Sequence, residues 1–547
     1  MSSQDLSRYF HTLRHLRAGQ VVARLRRRWQ SREVDQSPVG PRRARSGVFE
    51  SPIPAVDSLV APSLFRFLNL EQRCASKEDW QGSPADRLWH YNLHYFDYLN
   101  SRHGLGRIDW HIDLLDRWQR ENPPGDGIGW EPYPVARRIV NWIKFDLRTG
   151  GLTGDALHNL AIQARWLERR LEFHLLGNHL FADAKALVFA GLFFEGEEAD
   201  RWCRRGMSLV SEQLAEQVLA DGGHFELSPM YHAAFLEDLL DLVNLLRSSG
   251  VDVPAEWTTV CGRMRAWLAA MVHPDGEIPF FNDAAFGVAP RAAELEAYAA
   301  RLSLPLIYPP AELTDLVDSG YVRASAGPAF LICDCADIGP DYLPGHAHAD
   351  TLSFELSLFG QRVFVNGGTS TYTEGPERQR QRGTAAHNTV VLDGQDSSEV
   401  WGGFRVARRA RILDREVHAA AARVDIFATH DGYRRLAGRN LHSRRWYLAM
   451  DGLVIDDEVS GGPCDAEARF HLHPSVAAVK LPGPGVALDL AGVDENQLRM
   501  EFTGAEAVTV ESFNWQPEFG LPVPSRCVVA RFARDTLRTV LSWPANY

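Results

Sequence analysis

The stretch GHAHADTLSFELSL (Gly345–Leu358) carries the strongest structural signal in the sequence. Its second half alternates apolar and polar residues, a period of two that predicts a half-buried β-strand; the apolar positions are Leu352, Phe354, Leu356 and Leu358. If the extended backbone reaches back to His346 and His348, both rings point to one face. Two imidazoles on one face can hold a metal ion, transfer protons, or do one of each.

Composition narrows the class of protein. The chain has 547 residues, enough for two or more domains, with 45% hydrophobic and 23% charged residues, as in ordinary globular proteins. A formal net charge of −12 argues against nucleic acid as the main partner but leaves an anionic substrate open, because local arginines and histidines decide that. Seven scattered cysteines without a CxxC motif favour free thiols in a reducing compartment over a disulfide framework.

The first 35 residues are rich in arginine and have a helical pattern. They fit a solvated amphipathic helix packed on the protein, attachment to an anionic membrane surface or to a partner complex, or a transit peptide. Neither a signal-peptide core nor an apolar run of transmembrane length is visible. We therefore expect a cytoplasmic or membrane-peripheral location, with a periplasmic one left open.

The composition and periodicity of the sequence change twice along the chain. Residues 36–62 are rich in proline with little periodicity, which predicts a linker or a surface-draped segment. From about residue 89 to 305 the pattern is that of consecutive helical hairpins, typical of an α-helical toroid or solenoid. Beyond residue 318, short β-like runs with turns such as Asp451-Gly452 predict an antiparallel β-sandwich. We predict an α+β multidomain protein: an N-terminal helix and linker (1–85), an (α/α) toroid (86–315) and a β-sandwich (316–547).

Polar loops interrupt the helical part and provide candidate binding groups. Asn178 and His179 lie in a turn between helices, where both can donate hydrogen bonds to a carboxylate; a helix-capping turn is the alternative. Tyr231 comes just before a helix and also fits a core position. Trp130 belongs to another such loop. Loops of this kind at one end of a toroid would line a single groove.

The β-rich part offers a possible metal site. Asn366 and His387 follow the two histidines at further strand ends, and two histidines with an oxygen ligand make a zinc-like set. A satisfied pair of core histidines is the alternative. A metal-dependent hydrolase barrel would need a βα alternation that is absent after this motif.

Four motifs together resemble the heparinase II/III-like family of polysaccharide lyases, in order and in coarse spacing, from about residue 85 to the end. They are GNH (177–179), SPMYH (228–232), GHAHAD (345–350) and RGTAAHNT (382–389). The resemblance implies a toroid followed by an antiparallel β-sandwich, and cleavage of an acidic, uronate-containing glycan by β-elimination. The segment Trp89–Asn100 and the Arg-rich N-terminus resemble a branch found with polysaccharide assembly genes, which suggests an assembly partner.

The resemblance also implies roles for individual residues. Asn178 would neutralise the substrate carboxylate, with His179 assisting it or serving as base, and Tyr231 and His346 would be the catalytic acid and base in an order that depends on uronate stereochemistry. His348 and His387 would bind a structural divalent metal, usually zinc. Asn366 stands where the family commonly has Asp, and a neutral amide is the poorer ligand.

Further residues are expected to bind an acidic glycan. Arg378 and Arg382 precede His387 and suit an anionic chain, although a solvated loop is the alternative. Tyr372 is expected close to the site, and Trp130 in the groove.

Two other functions fit the same fold. A glycoside hydrolase would need a pair of positioned carboxylates, for which Asp221, Glu226 and Asp283 are available. A non-catalytic glycan-binding or assembly protein could keep the fold without activity.

Overall fold

The structure is a computed structural model, and it describes residues 3–82, 87–420, 423–493, 498–533 and 535–544. These ranges contain twelve α-helices and twenty-two β-strands. The helices come first and the antiparallel sheets second, so the predicted order of the two main parts is confirmed. None of the helices in these ranges is both long enough and apolar enough to cross a bilayer.

The N-terminal region wraps around the body of the protein. It has two helices, α1 (Ser3–Leu13) and α2 (Ala18–Arg27), and an antiparallel three-stranded sheet of β1 (Leu59–Ala61), β2 (Leu64–Phe67) and β3 (Leu70–Arg73). The connecting segment runs along the helical part, where the Arg43 amide donates to the Phe193 carbonyl (2.8 Å) and the Gly47 amide to that of Ser248 (2.9 Å). Of the two predictions for residues 36–62, the surface-draped segment is therefore the one that matches.

The helical part contains nine of the helices that the structure describes: α3 (Arg87–Tyr95), α4 (Ile108–Glu121), α5 (Pro132–Thr149), α6 (Gly154–Glu168), α7 (Gly177–Phe193), α8 (Glu197–Gln217), α9 (Pro229–Ser248), α10 (Ala255–Met271) and α11 (Ala292–Arg301). Helix α7 is the innermost, with every residue from Leu180 to Phe193 buried. A helix that is buried on all sides is enclosed by its neighbours, and the charged Asp183 and Lys185 are buried with the rest. Its polar N-terminal turn, Gly177–His179, is thereby fixed at one end of the helical part.

The sheet part begins between Arg301 and Leu313, and β4 lies across the predicted boundary at 315/316. Its strands are β4 (Leu313–Leu316), β5 (Tyr321–Ala326), β6 (Ala329–Asp334), β7 (Phe354–Leu358), β8 (Gln361–Phe364), β9 (Val390–Leu392), β10 (Val400–Trp401), β11 (Arg405–Val406), β12 (Ile412–Ala420), β13 (Arg423–His430), β14 (Leu441–Ala449), β15 (Gly452–Ser460), β16 (Ala466–His471), β17 (Ala477–Lys480), β18 (Gly485–Asp489), β19 (Arg499–Thr503), β20 (Ala507–Glu518), β21 (Leu521–Phe532) and β22 (Thr536–Ser542). A short helix, α12 (Pro376–Arg382), lies between β8 and β9.

These strands form four antiparallel sheets in the described residues. A five-stranded sheet has the order β4-β5-β6-β7-β8, and an eight-stranded sheet has the order β12-β13-β14-β15-β22-β19-β18-β17. A four-stranded sheet, β20-β21-β16-β9, and the pair β10-β11 complete the part. Apolar side chains from the three larger sheets share one core, as expected of a sandwich.

Strand β7 differs from its prediction because all five of its residues are buried rather than half of them. Its apolar side faces the shared sheet core, where the rings of Phe354 and Phe470 lie 6.3 Å apart. Its polar side faces the helical part: Ser357 is 2.8 Å from His273 Nδ1, and Glu355 accepts the Phe280 amide (2.9 Å). The polar residues of the pattern therefore mark an interface between the two parts, not solvent.

Candidate active site

Asp283 is the centre of a buried cluster where the helical and sheet parts meet. Its Oδ2 accepts hydrogen bonds from His346 Nδ1 (2.9 Å) and Arg378 Nη2 (2.7 Å), and its Oδ1 accepts one from His348 Nε2 (2.8 Å). Burial raises the pKa of this carboxyl, but Arg378 and the two histidines outweigh burial and hold it well below its usual range. Asp283 is therefore an ionised carboxylate that fixes the orientation of both histidines of the HxH motif.

The backbone reinforces this junction. The Asp283 amide donates to the His346 carbonyl (2.9 Å), and the His348 amide donates to Asn282 Oδ1 (2.9 Å). The Asn282 amide in turn donates to Asp350 Oδ2 (2.9 Å). A loop of the helical part and a loop of the sheet part are thus held in register, which fixes candidate site residues from both.

His346 and Tyr231 lie side by side in this cluster. Asp283 accepts from His346 Nδ1, and the Nε2 atom of His346, on a side chain that is 15% exposed, has no hydrogen-bond partner among the described residues. The imidazole lies against the Tyr231 ring, with centroids 3.9 Å apart. The Tyr231 hydroxyl is 2.8 Å from that of Tyr372. A free imidazole nitrogen beside a phenol can take a proton and give one.

Helix α9 sets the position of Tyr231. Ser228 is the N-cap residue, its hydroxyl accepts the Tyr231 amide (3.2 Å), and Pro229 begins the helix, so Tyr231 lies in the first turn. Burial, and then the neighbouring Tyr372 and Asp283, raise the pKa of Tyr231 well above its ordinary value. The phenol therefore keeps its proton in the free protein, which suits a proton donor.

The first turn of α7 presents the next two groups. The side-chain amide of Asn178 is partly exposed and has no hydrogen-bond partner among the residues that the structure describes. His179 Nδ1 donates to Glu172 Oε2 (2.7 Å), and its ring lies 4.5 Å from that of Tyr133. Burial lowers the pKa of His179, but the Glu172 carboxylate outweighs it and the net pKa is raised. This turn thus offers a free amide beside a histidine that favours its charged form.

Gly177 gives this turn its shape. Its φ is +56°, which lies in the left-handed region, and a Cβ there would lie 2.3 Å from Leu343 Cδ2 and 3.0 Å from Glu226 Oε1. Leu343 belongs to the loop that leads to His346. The glycine therefore lets the Asn178 turn approach the sheet part.

Glu226 lies between the Asn178 turn and His346, and the sequence predicted it only as a candidate carboxylate of a hydrolase. It is buried, its Oε2 is 3.8 Å from His346 Nε2, and neither carboxylate oxygen has a hydrogen-bond partner among the described residues. Burial raises its pKa, although His346 and His179 oppose the shift. The only sequence signal was its place five residues before Tyr231, which does not show that it faces His346.

The two arginines expected at the substrate lie behind the site instead. Arg378 is fully buried, paired with Asp283, and its Nε donates to the Gly403 carbonyl (3.0 Å). Arg382 is also fully buried and donates to the carbonyls of Ala347 (2.9 Å) and Gly402 (3.1 Å). Their guanidinium groups hold the HxH loop in place, so neither the predicted substrate contact nor a solvated loop describes them. Tyr372 is brought into the site as expected.

Trp130 is the predicted residue that the structure does not bring to the cluster. It is 2% exposed, its ring lies 5.9 Å from that of Trp118, and its indole N–H donates to the Asn122 carbonyl (3.3 Å). It is thus a core residue of the helical part. Tyr133, three positions further along in the first turn of α5, is the side chain that contacts His179.

The proposed metal ligands are only partly assembled. His348 Nδ1 and His387 Nε2 face each other at 3.2 Å, and two nitrogen ligands of one tetrahedral zinc ion lie roughly 3.3 Å apart. Asp283 holds the other nitrogen of His348, as carboxylates do for metal-binding histidines. Asn366 Oδ1 accepts the Asn388 amide (3.0 Å), and within the described ranges no three His, Cys, Asp or Glu side chains have metal-binding spacing. The 3.2 Å contact is that of a hydrogen bond between the two rings, and the same separation would let both nitrogens bind one divalent ion, with the amide as the weak member of the set.

Comparison with known proteins identifies the class. The model for the heparinase II/III N-terminus matches residues 105–300, and that for the heparinase II/III-like C-terminal domain matches residues 308–544. The chain therefore belongs to the heparinase II/III-like family.

Individual relatives are more distant. The chain is 25% identical over 325 residues to a heparin-sulfate lyase of Pedobacter heparinus, covering 53% of this chain and 48% of that protein. It is 26% identical over 308 residues to a heparin-sulfate lyase of Bacteroides stercoris, covering 49% and 44%. The chain thus spans about half the length of the curated relatives it matches. A solved structure of heparinase III superimposes with a TM-score of 0.67 at 18% identity, covering 87% of this chain and 79% of that one, which confirms the fold.

Proposed function

We propose that this protein is a polysaccharide lyase that cleaves an acidic, uronate-containing glycan by β-elimination. The observation that carries the proposal is the meeting of the Asn178 turn, Tyr231 and a His346 oriented by Asp283 at one junction. Family membership and relatives named heparin-sulfate lyases support the same reaction.

The first task of such an enzyme is to make the proton on C5 of the uronate acidic. That proton is acidic only if the adjacent carboxylate is neutralised, because the developing charge spreads onto it in the transition state. The Asn178 amide and a charged His179 can donate to the carboxylate. Burial raises the pKa of Glu226, and in its protonated form this side chain could add a further hydrogen bond.

The second task is proton transfer. His346 Nε2 takes the C5 proton, the C–H electrons form the C4–C5 double bond, and the C4–O4 bond breaks. Tyr231 gives its proton to the leaving O4 oxygen. The free Nε2 of His346 and the raised pKa of Tyr231 favour this assignment of base and acid. The hydrogen bond from Tyr372 can stabilise the phenolate that Tyr231 becomes.

We infer that His348 and His387, with Asn366, would hold a structural divalent ion, zinc being the one that suits two imidazole ligands. Bound there, the ion would supply a positive charge that fixes the loop between β6 and β7. The protein's own residues carry every step of the reaction described above.

A direct test follows the double bond by its ultraviolet absorbance. Wild type is incubated with heparan sulfate, heparin, chondroitin sulfate, hyaluronan and alginate, beside the variants Tyr231→Phe and Tyr433→Phe. Tyr433 is a matched control, because it is buried and its hydroxyl donates to the Val390 carbonyl, within the sheet part. We expect absorbance to rise with wild type and Tyr433→Phe on at least one glycan and to be lost with Tyr231→Phe. A rise that persists in Tyr231→Phe would refute the assigned role.

The hydrolase alternative is less well supported by the carboxylates. Asp221 accepts the Ser319 amide (2.7 Å) and hydroxyl (2.8 Å), and Asp283 is engaged by Arg378 and two histidines. Glu226 is then left without a second free carboxylate. New reducing ends without a double bond would nevertheless indicate hydrolysis, and binding without either product would indicate a glycan-binding protein.

Location and a polysaccharide-assembly partner remain predictions from the sequence. The assembly partner was predicted in part from the Arg-rich N-terminus, whose helices pack against the helical and the sheet parts.

A further inference from the structure

Helices α1 and α2 present apolar side chains to solvent. Phe10 of α1 is 64% exposed, and Trp29, just after α2, is 78% exposed. The same two helices carry five further large apolar residues that are at least two-fifths exposed: Leu6, Leu13, Val21, Val22 and Leu25. We call this set of seven residues the N-terminal apolar face. Several large apolar side chains exposed on one short segment are typical of an interaction site.

The opposite side of both helices is polar and faces the protein. Trp401 Nε1 donates to Thr12 Oγ1 (3.1 Å), and Arg408 Nη2 donates to Ser7 Oγ (2.8 Å). In α2, the buried Gln20 donates to the Tyr342 carbonyl (3.3 Å). A surface helix normally buries its apolar side against the protein, and here the arrangement is reversed. The polar contacts fix the helices in place, and the apolar face is left for something else to cover.

The charge of this segment indicates what covers the N-terminal apolar face. Residues 3–32 contain eight arginines and a single acidic residue, Asp5, in a chain whose formal net charge is −12. All eight arginines are exposed; Arg17 pairs with Glu216 and Arg27 contacts His174, whereas no ion pair among the described residues engages Arg14, Arg24, Arg26, Arg28 or Arg32. A helix with Trp, Phe and Leu on one side and arginine at its flanks is the kind that lies in the interface of an anionic bilayer.

We propose that the N-terminal apolar face docks onto an anionic lipid surface, with the exposed arginines against the lipid headgroups. The helices would lie in the plane of the membrane and not cross it. The docking would also orient the candidate active site, because Tyr9 packs on Trp401 (ring centroids 4.9 Å apart) and Phe404, in the following turn, packs on His346 (6.0 Å). The candidate active site would then be held at a fixed distance from the bilayer; on the function proposed above, an acidic glycan at the membrane could reach it there.

Flotation of the full chain with vesicles tests this proposal without any need for activity. The vesicles contain either phosphatidylcholine alone or phosphatidylcholine mixed with phosphatidylglycerol. The variants are Phe10→Ser with Trp29→Ser, and Arg24→Gln with Arg28→Gln. The control is Leu306→Ser with Tyr308→Ser, two almost fully exposed residues elsewhere on the chain.

We expect wild type and the control to float with the anionic vesicles only, less so at high salt, and each helix variant to lose about tenfold or more in the bound fraction. Circular dichroism checks that every variant stays folded. Equal binding to both vesicle types, no binding by wild type, or full binding by both variants would overturn the proposal. A dimer of the wild type that the same substitutions dissociate would assign the face to a second copy of the chain instead.

Discussion

Replacing Asp283 by asparagine is the strongest single test of the buried cluster at the centre of the candidate site. The substitution keeps the shape of the side chain but removes the charge that Arg378, His346 and His348 share in a fully buried environment. Leaving a buried guanidinium without its carboxylate costs about 3–5 kcal/mol. His346 also loses the acceptor that orients it, and a wrongly oriented general base lowers kcat by about a hundredfold to ten-thousandfold.

The chain offers a matched control for this experiment. Asp457 is likewise fully buried, accepting from His442 Nε2 (2.8 Å) and Arg444 Nε (2.7 Å), but it lies in the sheet core. We expect Asp283→Asn and Asp457→Asn to lose similar amounts of unfolding free energy in urea, and only Asp283→Asn to lose kcat. Unchanged stability in Asp283→Asn would refute the buried ion pair. Equal kcat in the two folded variants would refute the role of Asp283 in orienting His346.

Two further predictions concern the Asn178 turn. Burial lowers the pKa of His179, but Glu172 outweighs burial and raises it above 6.5; burial raises the pKa of Glu172, but His179 outweighs burial and lowers it below 4.5. The ion pair therefore stabilises the fold between about pH 4.5 and pH 6.5, and this contribution is lost as the pH rises through the raised pKa of His179. Glu172→Gln should reduce the unfolding free energy more at about pH 6 than at about pH 9, and an equal loss at both would contradict the pairing. Gly177→Ala should cost about 1–3 kcal/mol and most of the activity, because strain at φ +56° adds to the clash with Leu343. Gly150→Ala, at φ +66° in open space, should show the strain alone; equal costs in both would contradict the close approach to Leu343.

The sequence predicted what local patterns and motifs encode. Helical periodicity predicted the helical part, and alternation predicted strand β7, because both patterns follow from backbone geometry. Asn178, Tyr231 and His346 were identified through motif resemblance, and the structure brings them to one junction. Their roles in catalysis remain proposals.

What the sequence missed depends on contacts between distant segments. Asp283 and Arg378 are 95 residues apart, and no local pattern shows that they pair. Both were interpreted as groups for substrate or for a hydrolase, although they support the site from behind. Glu226 was missed as a partner of His346 for the same reason.

Local sequence patterns also did not predict which side chains are buried. Trp130 lies in a polar loop, yet its indole turns into the core and Tyr133 reaches the site. The polar half of β7 was expected in solvent, but Glu355 and Ser357 bind the helical part. A period of two shows that the two sides of a strand differ, but it does not show what covers each side.

The most direct test of β-elimination is the mass of the products. With a glycan that the protein cleaves, our account predicts that each cleavage gives one unsaturated fragment, one water lighter than the corresponding hydrolysis product, because the reaction breaks the C4–O4 bond without adding water. Products that are all saturated, one water being added at each cleavage, would contradict the account and establish a hydrolase.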